Sequence, residues 1–274
     1  MQFHIPLTLL FATSHPTFKT GSGKTFTMIG DKKNPGLIPR SVQMFFDTKA
    51  DIEKKCQAQG QVVKIDIGVE LLEVYNDEVR DLLSPNAGPN GKLVKVDVQG
   101  HEAVGNVVAS ASSQTEVEKI LAVAQSRRCV KATNSNAESS RSHMLFTIHF
   151  KVTSSTNDEL NRNGCLHITD LAGSERLDKS GSYGQLLIEA KHINLSLHAL
   201  TGVIEKLQEK SEHIPYRNSK LTYLLRNSLG GDSKTLAIVC CSPQQEHFQE
   251  SHSSIRFAAK ASKVELKNEN EVHV

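Results

Sequence analysis

A glycine-rich run near the start of the chain contains the residue types that bind phosphate. Residues 18–25 read F-K-T-G-S-G-K-T and match the pattern G-x-x-x-x-G-K-S/T everywhere except the first position, where Phe18 stands. The amides that could wrap phosphate oxygens belong to Thr20, Gly21, Ser22 and Gly23. Lys24 supplies a cation for the outer phosphates, and Thr25 offers a hydroxyl to magnesium. The alternative is a plain glycine-rich turn before a helix, but the intact Gly-Lys-Thr core favours phosphate binding.

A carboxylate at the end of a short apolar strand is a second candidate. Asp170 ends the run Cys165–Thr169 and is followed by L-A-G-S-E. In a phosphate-loop fold, a carboxylate at this place holds magnesium through water. Such an Asp can also simply cap the next turn. Gly173 favours the first interpretation, because its amide can approach a γ-phosphate with no side chain in the way.

A dense polar run, N-A-E-S-S-R-S-H at residues 136–143, directly precedes a predicted strand. Alone it indicates a hydrophilic loop. It gains weight because the phosphate loop, the serine-rich run and the strand-ending Asp occur together in this order along the chain.

Strands and helices alternate along the rest of the sequence. Two-residue periodicity or apolar runs predict strands at 62–74, 146–152, 165–169 and 235–241. Helical spacing predicts helices at 115–131, 193–207, 219–228 and about 255–262. Thr115 with Glu118 forms a predicted capping box, and Asn218 is the predicted cap of the third helix. This alternation predicts an α/β architecture around a central sheet.

Composition bounds the functional classes. With 274 residues, 38% of them hydrophobic, the chain can form one substantial core. A net charge of +2 gives no whole-molecule field that would attract nucleic acid or membrane. The five cysteines form no C-x-x-C pair, which indicates reduced thiols in the cytoplasm and no structural metal site. No apolar run is long enough to span a bilayer. The apolar stretch 5–12 has neither the basic flank nor the cleavage site of a signal peptide.

The three motifs together resemble the kinesin family. Residues 20–25 resemble its P-loop, 136–143 its switch I and 170–175 its switch II, and further similar runs lie at 73–83, 193–200 and 213–225. The resemblance extends from about Thr20 to the end of the chain. It implies an α/β P-loop NTPase of kinesin type, with a mostly parallel or mixed central sheet and helices on both faces.

The resemblance also implies ATP and Mg²⁺ as cofactors. Lys24 would neutralise phosphate charge, Thr25 and Ser140 would coordinate magnesium, and Asp170 would hold that ion through its waters. The implied activity is that of a microtubule-dependent motor ATPase in the cytoplasm, acting on the microtubule cytoskeleton.

Catalytic roles follow from the same resemblance. Ser139 and Gly173 would face the γ-phosphate. Arg141 and Glu175 would form a salt bridge that closes the two switches, positions the attacking water and passes on its proton. Asn194, at the predicted start of the long helix, would help to couple this closure to the track.

For the track itself, scattered basic residues alone indicate only a solvated helix face, whereas the resemblance implies a surface that meets acidic tubulin. The candidate residues are Lys179, Arg217, Lys220 and Arg226, with Lys206 and Lys210 upstream. Neither a nucleic acid nor a membrane is expected as a partner.

The first nineteen residues depart from the family. We expect an atypical segment at 1–19, a partial motor domain at 20–262 and a polar tail or neck-like segment at 263–274. Pro16 cannot donate to a central sheet ladder, and a bulky Phe18 in a left-handed turn would cost about 1–2 kcal/mol. The sequence therefore predicts that the N-terminal strands are missing. The alternative function is a catalytically impaired microtubule-binding module.

Overall fold

A computed structural model describes residues 5–13, 23–86, 93–129, 142–173, 185–231 and 233–265. Its strands are β1 (Ile5–Thr13), β2 (Val63–Tyr75), β3 (Glu78–Asp81), β4 (Val94–Lys95), β5 (Asp97–Gln99), β6 (Glu102–Val104), β7 (Ala109–Ser110), β8 (His143–Ser154), β9 (Arg162–Asp170) and β10 (Lys234–Cys240). Its α-helices are α1 (Lys24–Met28), α2 (Leu37–Ala58), α3 (Gln114–Cys129), α4 (Gln185–Gln208), α5 (Lys220–Leu224), α6 (Arg226–Gly230) and α7 (Phe248–Ala261). Within these ranges, no helix is long and apolar enough to cross a membrane.

The central sheet is mixed, as predicted. Its strand order is β10-β1-β9-β8-β2-β3-β4, with β7 also paired to β2. β1 runs parallel to both β9 and β10, whereas β8 pairs with its neighbours β9 and β2 in antiparallel fashion. β5 and β6 form a separate hairpin. The strands predicted at 62–74, 146–152, 165–169 and 235–241 are confirmed as β2, β8, β9 and β10.

The prediction that the strand before the phosphate loop is missing is wrong. β1 lies between β9 and β10 and pairs with both, from Leu7 opposite Lys234 and from Ile5 opposite Gly164. The physical reason is its composition, since a strand with a parallel neighbour on each side is an almost continuous apolar run, and Ile5–Thr13 reads I-P-L-T-L-L-F-A-T. Pro16 does not interrupt the ladder because β1 ends three residues earlier.

Two apolar layers cover the sheet. On one face, Phe146, Ile148 and Ile168 are buried together with residues of α2 and α3, including Ile38 and Val117. The other face carries a second buried cluster, in which Leu72, Val74 and Leu171 pack with α4, α5 and α6 through Leu200, Val203, Leu221, Leu225 and Leu229. Each fully buried large side chain contributes about 1.5–3 kcal/mol to folding. The helices predicted on both faces are therefore in place.

Two predicted helix starts are wrong by one or two residues. The first turn of α3 is capped by Ser113 and Glu116 in place of Thr115 and Glu118. The Ser113 hydroxyl accepts the Glu116 amide at 3.3 Å, and the Glu116 carboxylate accepts the Ser112 amide at 2.7 Å. Both Ser113 and Thr115 have an acidic residue three positions later, so the sequence pattern cannot separate them.

The helix predicted at 219–228 is two short helices, α5 and α6, separated at Leu225. Its cap is Ser219 and not Asn218. Ser219 has extended backbone angles, and its hydroxyl accepts the Thr222 amide at 3.1 Å. The long helix α4 begins at Gln185, so Asn194 lies inside it and not at its start.

Candidate functional site

The carboxyl ends of three parallel strands meet at one edge of the sheet. Phe11 of β1 lies opposite Asp170, the last residue of β9, and Thr13 lies opposite Cys240, the last residue of β10. In open α/β sheets, ligands bind outside the carboxyl ends of parallel strands. Helix α1 returns to this edge, since Thr27 Oγ1 lies 3.9 Å from Cys240 Sγ. Lys24, the first residue of α1, is therefore brought to the edge where β9 ends.

Gly23 has a backbone conformation that favours glycine. Its φ angle is +83°, in the left-handed region, and no atom of the described residues lies within 4 Å of the place a Cβ would take. The need for glycine therefore comes from the backbone angle and not from crowding. Its carbonyl accepts the Thr27 amide at 2.8 Å, which starts α1 directly after this residue. The open space beside Gly23 agrees with a backbone that a phosphate group can approach.

Asp170 has a buried carboxylate oxygen that no described residue satisfies. Its Oδ1 atom is buried and lacks a hydrogen-bond partner within the described ranges. Burial raises the pKa of Asp170, although the charges of Arg128 and Lys24 oppose that rise. A divalent cation or its water shell is what such an oxygen would bind. These residues fit a hydrated magnesium ion, and the assignment of Asp170 to that ion stays a prediction.

His143, the last residue of the serine-rich run 136–143, connects that run and the segment after β9 to α4. Its Nδ1 accepts the backbone N–H of Ala172 at 3.0 Å, two residues after Asp170. Its Nε2 lies 2.8 Å from the hydroxyl of Ser196 on α4. Ser196 in turn donates to the carbonyl of Ile193 at 2.8 Å. One side chain at the start of β8 therefore fixes both the segment after β9 and a turn of the long helix.

These hydrogen bonds define the state of the His143 ring. Since Nδ1 accepts the Ala172 amide, the neutral ring carries its proton on Nε2 and donates it to Ser196. Burial, together with the charges of Lys24 and Arg128, lowers the pKa of His143 to about 3. The imidazole is therefore neutral at physiological pH, and the geometry depends on that neutrality.

A buried ionic cluster lies beneath the start of β8. The Glu73 carboxylate accepts the Ser142 hydroxyl at 2.7 Å. Arg128 Nε and Arg80 Nη1 lie 3.7 and 3.8 Å from its two oxygens. Removing one partner of a buried cluster typically costs about 3–5 kcal/mol because a charge is left uncompensated. The cluster therefore holds Ser142, which belongs to the run 136–143 that resembles switch I.

Several predicted site residues lie outside the described residues. They are the nucleotide-binding candidates Thr20, Gly21, Ser22 and Ser140, the catalytic candidates Ser139, Arg141 and Glu175, and the track candidate Lys179. For Thr25 the structure describes the backbone, at the second position of α1. Gly173 is buried directly after Ala172, whose amide His143 holds. The structure thus brings Gly23, Lys24, Asp170 and Gly173 to one edge of the sheet.

Sequence reasoning assigned no role to His143, Glu73, Arg128 or Ser196. His143 belongs to the serine-rich motif, which was a usable signal. Its partners Ala172 and Ser196 are distant in sequence, however, and only the strand register brings them together.

Three of the predicted track residues form an exposed basic group around α5 and α6. Arg217, Lys220 and Arg226 are all exposed. The Arg217 and Arg226 guanidinium groups lie 5.8 and 5.7 Å from the ring centres of Tyr223 and Tyr216. A groove of about 640 Å³ runs between these two Arg-Tyr pairs. Cationic side chains on aromatic rings keep their charge available to an acidic surface.

The upstream lysines differ from this group. Lys206 donates to Glu209 at 2.6 Å, and Lys210 donates to Glu265 at 2.7 Å. These partners raise the pKa of both lysines and balance their charges locally. The basic character of this surface therefore rests on Arg217, Lys220 and Arg226.

A side chain in the turn between β2 and β3 holds the first residue of α5 in place. The Lys220 amide donates to the Asp77 carboxylate at 2.7 Å. Asp77 lies with Asn76 in the turn between β2 and β3, where both have positive φ angles of 59° and 50°. The basic group is thus tied to the strand that carries Glu73.

Comparison with known proteins gives a consistent assignment. The family model described as the kinesin motor domain matches residues 18–264. The chain is 43% identical over 253 residues to kinesin-like protein KIN-14F of Oryza sativa subsp. japonica, covering 90% of this chain and 24% of that protein. It is 42% identical over 266 residues to kinesin-like protein KIN-14C of Arabidopsis thaliana, covering 90% of this chain and 32% of that protein. The chain therefore spans between a quarter and a third of the length of these relatives.

Solved structures give the same picture. A KIF14 dimer in a two-heads-bound state, with AMP-PNP and in complex with a microtubule, has a TM-score of 0.80 at 30% identity, covering 98% of this chain and 74% of that one. The structure of a fast kinesin also has a TM-score of 0.80, at 33% identity, covering 99% of this chain and 75% of that one.

Proposed function

Because the chain belongs to the kinesin motor domain family, we propose that it is a microtubule-dependent motor ATPase, which couples ATP binding and hydrolysis to microtubule binding and movement. The observation that most supports ATP turnover is the unsatisfied buried oxygen of Asp170, at the sheet edge to which α1 brings Lys24. A buried carboxylate without a donor is costly unless a cation compensates it. A magnesium-bound nucleotide would supply that compensation.

In this proposal the chain's own residues hold the nucleotide in place. Lys24 would bind the outer phosphates, Thr25 and Ser140 would coordinate a magnesium ion, and Asp170 would hold that ion through its waters. When bound, the ion would supply neutralisation of the charge that develops on the phosphates. No atom of the described part of the chain lies within 4 Å of the place where a Cβ of Gly23 would stand, which supports close approach of a phosphate to this backbone.

The catalytic step depends on closure around the γ-phosphate. Ser139 and Gly173 face that phosphate, and the pair Arg141 and Glu175 orients the attacking water and takes up its proton. The bond from Ala172 to His143 supports this proposal, since it positions the residue directly before Gly173. Positioning matters because phosphoryl transfer depends mainly on alignment and electrostatic stabilisation.

The proposed track surface is the exposed basic group Arg217, Lys220 and Arg226, with Lys179 as a further member. Its partner is the acidic surface of the microtubule, which places the protein on the microtubule cytoskeleton. A local patch suffices for electrostatic steering although the net charge of the chain is only +2.

The deciding experiment measures phosphate release with ATP and Mg²⁺, with and without microtubules. We expect microtubule-stimulated turnover in the unmodified chain. Lys24→Ala should lower kcat/KM by at least about 100-fold, because it removes the cation from the phosphates. The matched control is Lys64→Ala, which removes an exposed lysine of β2 that pairs with Asp66. Lack of any nucleotide hydrolysis, with or without microtubules, would refute the ATPase proposal.

The second candidate is a microtubule-binding module that has lost ATP turnover, which Phe18 at the first P-loop position favours. The presence of β1 weakens that reading, because the strand leading to the phosphate loop is formed. Co-sedimentation with microtubules separates the two candidates. A motor should change its microtubule affinity between ATP and ADP, whereas the module should bind equally in both.

A further inference from the structure

A row of polar side chains crosses three neighbouring strands away from the nucleotide edge. Glu70 of β2, Thr147 of β8 and His167 of β9 lie directly opposite one another in the sheet register. Cys165 precedes His167 by two residues, so both project from the same face of β9. This face is opposite to the one on which Leu166 and Ile168 pack against α2 and α3.

Three of these side chains lie within hydrogen-bonding distance of their neighbours in the row. Cys165 Sγ lies 3.2 Å from His167 Nε2. His167 Nδ1 lies 3.0 Å from Thr147 Oγ1. Glu70, directly opposite Thr147, accepts the Asn106 side-chain amide at 2.8 Å. Cys165 and His167 are both half-buried.

One tautomer of His167 makes it a base towards Cys165. When the ring proton is on Nδ1, His167 donates it to Thr147 Oγ1 at 3.0 Å. A neutral imidazole has only one N–H, so in this tautomer the Nε2 lone pair faces the Cys165 thiol. Although burial favours a higher pKa for Glu70, the charge of His149, whose Nε2 lies 3.7 Å from Glu70 Oε2, and the hydrogen bond from Asn106 hold that pKa below its usual value.

We propose that Cys165 is a modification site, an activated thiol from which His167 removes the proton and which hydrogen peroxide oxidises. The arrangement is a nucleophile, a base and groups that orient the base, which is the general pattern of activated nucleophiles. Modification requires the thiolate, and a neighbouring base increases the thiolate fraction. The proposal is independent of the proposed motor activity, since none of these residues belongs to the nucleotide site.

The chemistry is balanced with peroxide as the oxidant. The Cys165 sulfur attacks one peroxide oxygen, an S–O bond forms and the O–O bond breaks. The proton taken up by His167 passes to the departing hydroxide and gives water. Sulfur loses two electrons to peroxide and becomes a sulfenic acid.

Two other interpretations of the cluster are less well supported. No group of three or more His, Cys, Asp or Glu side chains in the described ranges is arranged to hold a metal ion. Reactivity from exposure alone would favour Cys241, which is exposed and whose Sγ lies 4.0 Å from the Ser251 carbonyl. Among the described residues, no imidazole contacts Cys241 as His167 contacts Cys165, so Cys241 provides an internal control.

The test is alkylation of the full chain by iodoacetamide over a range of pH, with peptide mass spectrometry to follow each of the five cysteines. Alkylation of Cys165 should reach half of its maximal rate about one pH unit below Cys241. The pH midpoint is a better readout than the rate at a single pH. A thiol whose pKa is one unit lower forms about tenfold more thiolate at neutral pH, but that thiolate is about threefold less nucleophilic. The net rate advantage at neutral pH is therefore only about threefold. Other titratable groups on the same face of the sheet are Glu70 and His149. Asp66 and Lys151 are paired in the next row of this face, beyond His149 and Cys165.

Two variants assign the cause. His167→Gln and Thr147→Val should each raise the Cys165 midpoint towards that of Cys241, while Thr147→Ser, which keeps the hydroxyl, should not. The Cys241 profile in each variant serves as the control for folding. Peroxide followed by a sulfenic acid trap should label Cys165 before Cys241 in the unmodified chain. Equal midpoints for Cys165 and Cys241 in the unmodified chain would overturn the proposal, and this test does not depend on whether a variant folds. An unchanged Cys165 midpoint in a folded His167→Gln protein would show that His167 does not activate the thiol.

Discussion

Replacing His143 with Phe tests how the segment after β9 is connected to α4. The substitution keeps a planar ring of similar size in a site where His143 is 2% exposed. It removes the acceptor for the Ala172 amide and the donor to Ser196, at 3.0 and 2.8 Å. Since Ala172 directly precedes Gly173, the segment proposed to contact the γ-phosphate loses its tether while the rest of the core stays packed.

The magnitude follows from these two bonds. A buried group left without its partner costs about 1–3 kcal/mol. Ser196 keeps its bond to Ile193, so the larger share falls on the Ala172 amide, and we expect a total loss of about 2–4 kcal/mol of unfolding free energy. The part of this loss that destabilises the closed, reacting state relative to the open state raises the barrier to hydrolysis. If that part is about 1.4–2.7 kcal/mol, microtubule-stimulated kcat falls by about 10- to 100-fold. ATP binding should change little, because Lys24 does not depend on this tether.

The same residue gives a pH signature that loss of packing does not. In the folded state the pKa of His143 is lowered to about 3, whereas the unfolded value is 6.5. Above pH 6.5 both states are neutral and stability is unaffected by this group. As the pH falls from 6.5 towards 3, only the unfolded state takes up the proton, so the folded state is progressively destabilised. Between pH 7.5 and 5.5 this loss of unfolding free energy amounts to about 1.4 kcal/mol, and it should be absent from His143→Phe.

The assays are urea unfolding at pH 7.5 and 5.5 and steady-state ATPase activity with and without microtubules. Ser196→Ala should lower microtubule stimulation more than basal turnover, because it removes only the contact to α4. Thr201→Ala is the matched control, since it deletes a hydroxyl bonded at 3.0 Å to Leu197 within α4 and touches neither motif. A folded His143→Phe protein with normal stimulated turnover would refute the reasoning.

Two further predictions concern the track and the switches. Lys220→Glu with Arg226→Glu should lower microtubule affinity at least about tenfold and leave nucleotide affinity unchanged, because these exposed charges lie near α5 and their attraction is screened by salt. The control pair Lys54→Glu with Lys119→Glu makes the same change in net charge on α2 and α3, on the opposite side of the sheet, and this protein should bind microtubules normally. If both pairs lose the same microtubule affinity, Lys220 and Arg226 are not part of the track surface. Glu175→Ala should keep ATP binding and slow phosphate release at least about 100-fold, since the loss falls on water positioning. Glu118→Ala, which removes an exposed carboxylate of α3, is its control, and unchanged turnover in Glu175→Ala would exclude Glu175 from the mechanism.

Regular local patterns made most of the fold predictable. The alternation around Ile65 and Ile67 was sufficient for β2, because one face of that strand is buried and the other is partly exposed. β1 was missed because its apolar run was compared with a signal peptide and with the family's usual start. The same run satisfies the requirement of a strand buried between two parallel neighbours. Its place depends on pairing with β9 and β10, which lie more than 150 residues away.

In the candidate site too, some residues could be proposed from the sequence, whereas other contacts appear only in the folded structure. Lys24, Asp170 and Gly173 could be proposed from two short motifs, because phosphate and magnesium chemistry requires particular residue types at fixed spacing within each motif, and their roles stay predictions. The contacts of His143 with Ala172 and Ser196 could not, since they join residues 29 and 53 positions apart. The row from Glu70 to Cys165 likewise exists only once three strands are in register, and shifting one strand by a residue would turn its side chain to the other face.

Helix α4 provides a physical route between the nucleotide edge and the basic group. Ser196, bonded to His143, lies one turn before Leu200, which packs in one buried cluster with Leu221 and Leu225 of the α5 region. A rigid helix rises about 1.5 Å per residue, so these two contacts are only about 6 Å apart along its axis. We expect a shift of the segment at Ala172 to be passed on to the place where α4 meets α5, because α4 is a rigid element and these contacts lie in a close-packed interior. Contact alone does not establish coupling, which requires that both sites bias the same two-state element. The separate effects of Ser196→Ala on basal and on stimulated turnover measure that bias, since a helix that merely packs against its neighbours would change both equally.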